Sequence, residues 1–155
     1  MIIRRMEATD CKKVAHIEAK VFSQPWSEQS FISEVDVSNH VYLVAENEKG
    51  KDIMGYCGLW EVAGEGQITN VCVAPEYRGN NIATEMLQEL LNQASKLDIE
   101  ATTLEVRVSN EPAIRLYEKL GFEEAGIRKG FYSHPKEDAL IMWMYPDGIQ
   151  ESQQA

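Results

Sequence analysis

Glu105 sits in the run TTLEVRV, residues 102–108. There Leu104, Val106 and Val108 share one strand face by alternation, and Glu105 and Arg107 share the other. A sheet covered by helices on both faces buries Glu105 at least in part, and a buried carboxylate needs a reason. One reason is an ion pair with Arg107 or a neighbouring strand; the other is proton transfer. Twelve residues later, Tyr117 lies on or near the apolar side of a short helix. A phenol there can donate a proton, though read alone it is a core aromatic with its hydroxyl satisfied. Cys72 is a conceivable acyl nucleophile, but no His lies near it in sequence and it reads better as a small buried residue. His16, His40 and His134 show no ligand spacing, so no metal is expected.

A second stretch offers binding rather than proton transfer. Residues 71–83, VCVAPEYRGNNIA, run from a half-apolar strand through a turn at Ala74-Pro75 and the polar Arg78-Gly79-Asn80-Asn81 into a helix. That helix has the clearest stripe in the chain: Ile82, Ala83, Met86, Leu87, Leu90, Leu91, Ala94 and Leu97. A helix opening onto a Gly-containing turn presents unpaired N–H groups and a positive dipole end, and Arg78 adds a full charge. Pyrophosphate suits such a site; the plainer reading is an ordinary strand–helix connection. Neither G-x-x-x-x-G-K-[ST] nor G-x-G-x-x-G after a strand occurs.

The elements that must position these residues follow from periodicity and punctuation. Residues 2–6 read as a strand, and Thr9-Asp10 can cap a helix with Val14, Ile17 and Val21 on its apolar face and Ala15, Ala19 and Phe22 beside it. Pro25-Trp26-Ser27 breaks that helix, and Ser27 starts a second through Phe31, Ile32 and Val35. His40–Glu46 and Ile53–Val62 form a hairpin around a polar turn, and Glu65–Val73 leads into the binding loop. After the 102–108 strand, Asn110 caps a helix with Pro112 in its first turn and Gly121 as its stop. Residues 122–131 and 139–145 close as a strand pair, and the polar tail 148–155 is expected to be disordered. The order β-α-α-β-β-β-α-β-α-β-β predicts one α/β domain, residues 1–147, on a mixed, mostly antiparallel, twisted sheet of about seven strands with helices on both faces.

One strand breaks phase. Val71 and Val73 share a face, but strict alternation puts Ile68 on the other. A one-residue bulge would restore all three to one side and leave backbone groups open to an extended ligand or an oxyanion. Burial of both faces without a bulge explains the pattern equally.

Composition bounds the rest. A chain of 155 residues can bury a core without disulfides or metal. With 25 Asp and Glu against 15 Lys and Arg, the formal charge is −10, which argues against direct nucleic-acid binding and suits a cationic acceptor. Cys11, Cys57 and Cys72 are widely spaced and make no C-x-x-C pair, so a reducing cytoplasm is the expected location. No signal-peptide pattern or membrane-length apolar run is present, and no membrane partner is expected.

Arg-Gly-Asn-Asn-Ile-Ala at 78–83 resembles the Q/R-x-x-G-x-G/A acyl-CoA loop of the GNAT acetyltransferases, with Asn81 where that pattern has Gly. Leu104-Glu105-Val106-Arg107-Val108-Ser109-Asn110, and then the run 113–122, AIRLYEKLGF, resemble the LEVR-x-SN…A-x-x-LYE-x-LGF signature of the bacterial ribosomal-protein-alanine N-acetyltransferases within that family. Pro25-Trp26-Ser27, residues 70–76 and the closing segment from Tyr132 to Met142 match as well, so the resemblance runs to about residue 145. It implies a GNAT fold, acetyl-CoA as cosubstrate and direct transfer to a protein N-terminus, the N-terminal alanine of a small-subunit ribosomal protein that would be a basic partner. It implies Glu105 as general base and Tyr117 as general acid. Acetyl-CoA is expected on Val71, Cys72 and Val73, on the loop Arg78, Gly79, Asn80, Asn81, Ile82, Ala83 and Thr84, and on Asn110. Trp26 and Tyr132 are expected at the acceptor. The alternatives are a GNAT enzyme of a small amine or another peptide, and a catalytically weak CoA-binding protein.

Overall fold

Alternation of apolar residues in the central segments makes a sheet, and the computed structural model describes it over residues 1–145. Seven strands, β1 (Ile2–Arg5), β2 (His40–Glu46), β3 (Ile53–Val62), β4 (Glu65–Val73), β5 (Ala101–Arg107), β6 (Glu123–Tyr132) and β7 (Glu137–Met144), lie in the order β1-β2-β3-β4-β5-β7-β6. Every neighbouring pair is antiparallel except β4 and β5. Helices α1 (Cys11–Val21), α2 (Glu28–Val35), α3 (Ile82–Ser95) and α4 (Glu111–Lys119) fall where periodicity predicts them. The expected domain end at 147 and tail at 148–155 lie outside the described residues.

Helices cover both faces. On one, Val14 and Ile17 of α1 and Phe31 of α2 pack with Tyr42, Val44, Tyr56 and Cys72 of the sheet. On the other, Met86, Leu87, Leu90 and Ala94 of α3 pack on Val41, Leu43, Cys57 and Leu59, with Tyr117 and Phe122 farther along. Burying each such side chain contributes about 1.5–3 kcal/mol, which fixes which face each helix takes.

Several local expectations need correction. Asp10 does not cap through its side chain onto α1; its carboxylate accepts the Glu7 backbone N–H at 2.8 Å and is gripped by Arg4 at 2.8 and 2.9 Å. Ala19 and Phe22 are exposed, and Glu18, four residues after Val14, takes their expected place on the buried face. β5 ends at Arg107, so Val108 leaves the sheet and is 38% exposed. Only Leu104 and Val106 of the expected trio reach the core.

The bulge is present. Gly58 of β3 pairs with Asn70 and Leu59 pairs with Ile68, so Thr69 is the extra residue in β4. Ile68, Val71 and Val73 consequently all pack toward the α3 side, while Cys72 faces the α1–α2 side. Gly58 is required opposite the bulge: a Cβ there would stand 2.1 Å from the Tyr42 ring.

Candidate active site

A bulge twists its strand and interrupts the ladder. Here the parallel pairing of β4 with β5 covers only Glu65–Ala101, Gly66–Thr102 and Gln67–Thr103, and stops just before the bulge. Beyond Gln67 the two strands have no mutual register, and the sheet opens between them. The opening is a cleft of about 500 Å³. Residues 68–71 of β4 and 104–107 of β5 line it, Tyr117 of α4 and the helix cap Asn110 border it, and residues 21–24, Trp26 and residues 132–135 form its rim.

Glu105 and Tyr117 therefore share one cavity. The Glu105 side chain is 26% exposed and its Oε1 lies 3.6 Å from Arg128 Nη1 on β6. The suggested pair with Arg107 does not form. Arg107 instead bonds Glu137 Oε1 at 3.2 Å and the Pro135 carbonyl at 2.9 Å, and its guanidinium lies 4.4 Å from the Tyr132 ring centre. Glu137 in turn accepts the Ser109 N–H at 2.8 Å; hydrogen bonding from the Ser109 side chain first, then from that N–H and from Arg107, holds the carboxyl below its usual range. Arg107 thus shapes the 133–137 turn and leaves Glu105 to the cleft.

Tyr117 stands on a helix whose start is fixed by chemistry. The Asn110 side chain accepts the Ala113 N–H at 3.4 Å, Pro112 lies in the first turn, and Gly121 at φ 107° follows the end. Tyr117 is 8% exposed and meets Phe122 edge-on at 6.0 Å. Burial drives its phenol well above the ordinary value, so it holds its proton throughout the physiological range. Tyr132, at the rim, is pushed up to about 12, by burial first and then by the charge of Glu105. Cys72 is 5% exposed and burial raises its thiol, which suits a packing residue and not a nucleophile.

The loop at the head of α3 is built for close approach. Gly79 has φ 85° and Asn81 adopts the left-handed conformation at φ 60°, so the departure from Gly at 81 keeps the turn. No side chain caps α3, Arg78 Nε is tied to the Val73 carbonyl at 3.2 Å, and nothing lies within 4 Å of where a Cβ on Gly79 would be. These features fit the pyrophosphate of a CoA thioester: open helix-end donors, one cation, and a bare glycine surface. Asn80 donates to the Tyr77 carbonyl at 2.9 Å and shapes the loop itself.

Comparison with known proteins agrees with this geometry. The model of the Acetyltransferase (GNAT) family matches residues 11–122. The chain belongs to that family. A Bacillus subtilis relative is 41% identical over 92% of this chain and 93% of its own, and its name carries, provisionally, ribosomal protein bS18-alanine N-acetyltransferase activity. The crystal structure of the ribosomal-protein-S18-alanine N-acetyltransferase from Escherichia coli superposes with a TM-score of 0.83 at 31% identity, covering 96% of this chain and 97% of that one. Arabidopsis thaliana NAA60, solved with acetyl-CoA, shares the fold at TM-score 0.84 and 18% identity, over 95% and 99% of the two chains. The cleft brings together Glu105, Tyr117, Trp26 and Tyr132, the side chains expected at the site, and adds Glu18, which no motif singled out; Arg107, read in the sequence only as a candidate partner of Glu105, lines it too and is held by Glu137. Glu18 had a signal: a charge placed on the apolar stripe of α1.

Proposed function

We propose that this protein acetylates the N-terminal α-amino group of a protein, with acetyl-CoA as cosubstrate, and that its acceptor is the N-terminal alanine of ribosomal protein bS18 in the cytoplasm. The observation that carries the reading is that Glu105 and Tyr117 line one cleft, opened where β4 and β5 part. The named activity of the relatives supports the acceptor.

The chemistry follows from the residue types. An α-amino group has a pKa of about 7.7–8.0, so near neutrality much of it is ammonium and cannot attack a thioester. Glu105, part-exposed, takes one proton directly or through water and passes it to solvent. The freed nitrogen attacks the thioester carbonyl carbon, and the C–S bond breaks. As the amide forms, the nitrogen gives its second surplus proton to Glu105 or water, while Tyr117 donates its proton to the departing sulfur, giving CoA thiol, and is reprotonated from solvent, so that one proton is released overall. The free β5-facing edge of β4 beyond Gln67 supplies backbone donors for the carbonyl oxygen, and Val71, Cys72, Val73, residues 78–84 and Asn110 hold the CoA portion. Trp26 and Tyr132 flank the arriving chain end. No acyl-enzyme is formed, so both substrates occupy the cleft together.

The test is thiol release from acetyl-CoA with three acceptors: a peptide beginning with the bS18 alanine, an N-blocked lysine peptide, and a polyamine. The alanine-ended peptide should be the preferred acceptor by kcat/KM. Preference for lysine or polyamine would overturn the assignment.

A further inference from the structure

Two carboxylates line the cleft, and the proposed chemistry uses only Glu105. Glu18, on α1, is 3% exposed, on the helix face whose Val14 and Ile17 pack into the core with Phe31. Burying a carboxylate there is costly unless both oxygens are satisfied, and both are. Oε1 accepts the Tyr56 hydroxyl at 2.6 Å, and Oε2 accepts the Trp26 backbone N–H at 3.0 Å. The two donors belong to different parts of the molecule. Tyr56 is fully buried on β3 and is the register partner of Cys72 on β4. Trp26 is in the connection between α1 and α2, which forms one wall of the cleft. Glu18 therefore clamps that wall to the strand beside β4. A tie from the Ser133 hydroxyl to Gln24 Oε1 at 3.0 Å is exposed and reaches across to the opposite rim. The Trp26 ring rests 5.3 Å from Phe31 and 6.4 Å from Tyr42, which fixes the indole once the backbone is held.

We propose that Glu18 is a positioning residue for the acceptor: its two hydrogen bonds fix the Trp26 backbone, and with it the wall against which the incoming chain end lies. The inference rests on the acetyl-transfer reading above. It assigns the role to the bond pattern and not to the negative charge, and chemistry separates the two. In Glu18→Gln the amide oxygen can accept the Trp26 N–H while the NH2 donates to the Tyr56 oxygen, which accepts as readily as it donates. Glu18→Leu keeps the volume and removes both bonds.

The experiment measures KM for the alanine-ended peptide and for acetyl-CoA, kcat, and hydrogen exchange at the Trp26 amide in both variants. Glu18→Leu should raise the acceptor KM by about tenfold, the upper scale of one lost hydrogen bond, and lose protection at Trp26. Its acetyl-CoA KM should hold. Glu18→Gln should restore both the acceptor KM and the protection. If Glu18→Leu does not fold, Tyr56→Phe replaces it, since it frees the clamp from β3 and should raise the acceptor KM with the acetyl-CoA KM unchanged. An acceptor KM that stays at the wild-type value, or a Glu18→Gln variant as impaired as Glu18→Leu, overturns the proposal. A wild-type protein that acetylates no peptide overturns the functional reading instead, and the exchange measurement still decides whether Glu18 holds Trp26.

Discussion

At the scale of single residues, the site divides into side chains legible in the sequence and side chains that only the fold recruits. Glu105 and Tyr117 were legible because strand alternation and a capped helix place them, and a family signature gives them roles. Glu18 left one local signal, a charge on the α1 stripe, but Ala19 and Phe22 could complete that stripe instead, and nothing local reveals that Tyr56, thirty-eight residues on, brings a hydroxyl to it. Tyr117 carries a prediction at this scale. Removing its hydroxyl in Tyr117→Phe keeps the edge-on packing with Phe122, so the melting temperature should stay near that of the wild type. Turnover should fall by roughly 10²–10⁴-fold, the range for a positioned acid. Steady-state kinetics beside a thermal melt check this; near-normal turnover would return Tyr117 to the core.

At the scale of elements, the helices and the strands β2, β3 and β4 lie where patterning puts them, because turn residues and caps delimit them locally. The strand ends drift where tertiary pairing decides: β5 stops at Arg107 and β7 begins at Glu137, where Arg107 and Ser109 engage the Glu137 carboxylate. The phase break at Ile68 left bulge and two-sided burial open, and Gly58, which makes room for Tyr42, is the partner that resolves it. The loop before α3 carries the second prediction. Arg78→Glu reverses the charge at an uncapped helix start and costs only one exposed bond to Val73. Helix-end charges contribute about 0.3–1 kcal/mol, and up to about 2 when partly buried, so acetyl-CoA affinity should weaken several-fold or more with folding intact. Calorimetry showing unchanged affinity would remove the cofactor from this loop.

At the scale of the whole molecule, the sheet is two antiparallel blocks, β1–β4 and β5–β7, joined by a three-residue parallel register that gives way at the bulge. The element order predicts the layers, but the insertion of β7 between β5 and β6 depends on non-local pairing that periodicity does not encode. The cleft belongs to this scale: it exists because the blocks diverge, and it sets a carboxylate from one block opposite backbone from the other. The formal charge of −10 suits a basic acceptor approaching it. The proposed transfer depends on the cleft holding Glu105 as the base for an amine acceptor. Glu105→Gln is nearly isosteric, and the Arg128 contact it loses is long and largely exposed, worth about 0–1 kcal/mol, so the fold should survive. The decisive measurement is the pH–rate profile of that variant, taken with its melting temperature. Activity should drop steeply near pH 7 and partly recover as pH rises past the acceptor amine's own pKa of about 8. A destabilised variant whose folded fraction remains nearly fully active at pH 7 would contradict the claim and leave Glu105 a structural partner of Arg128.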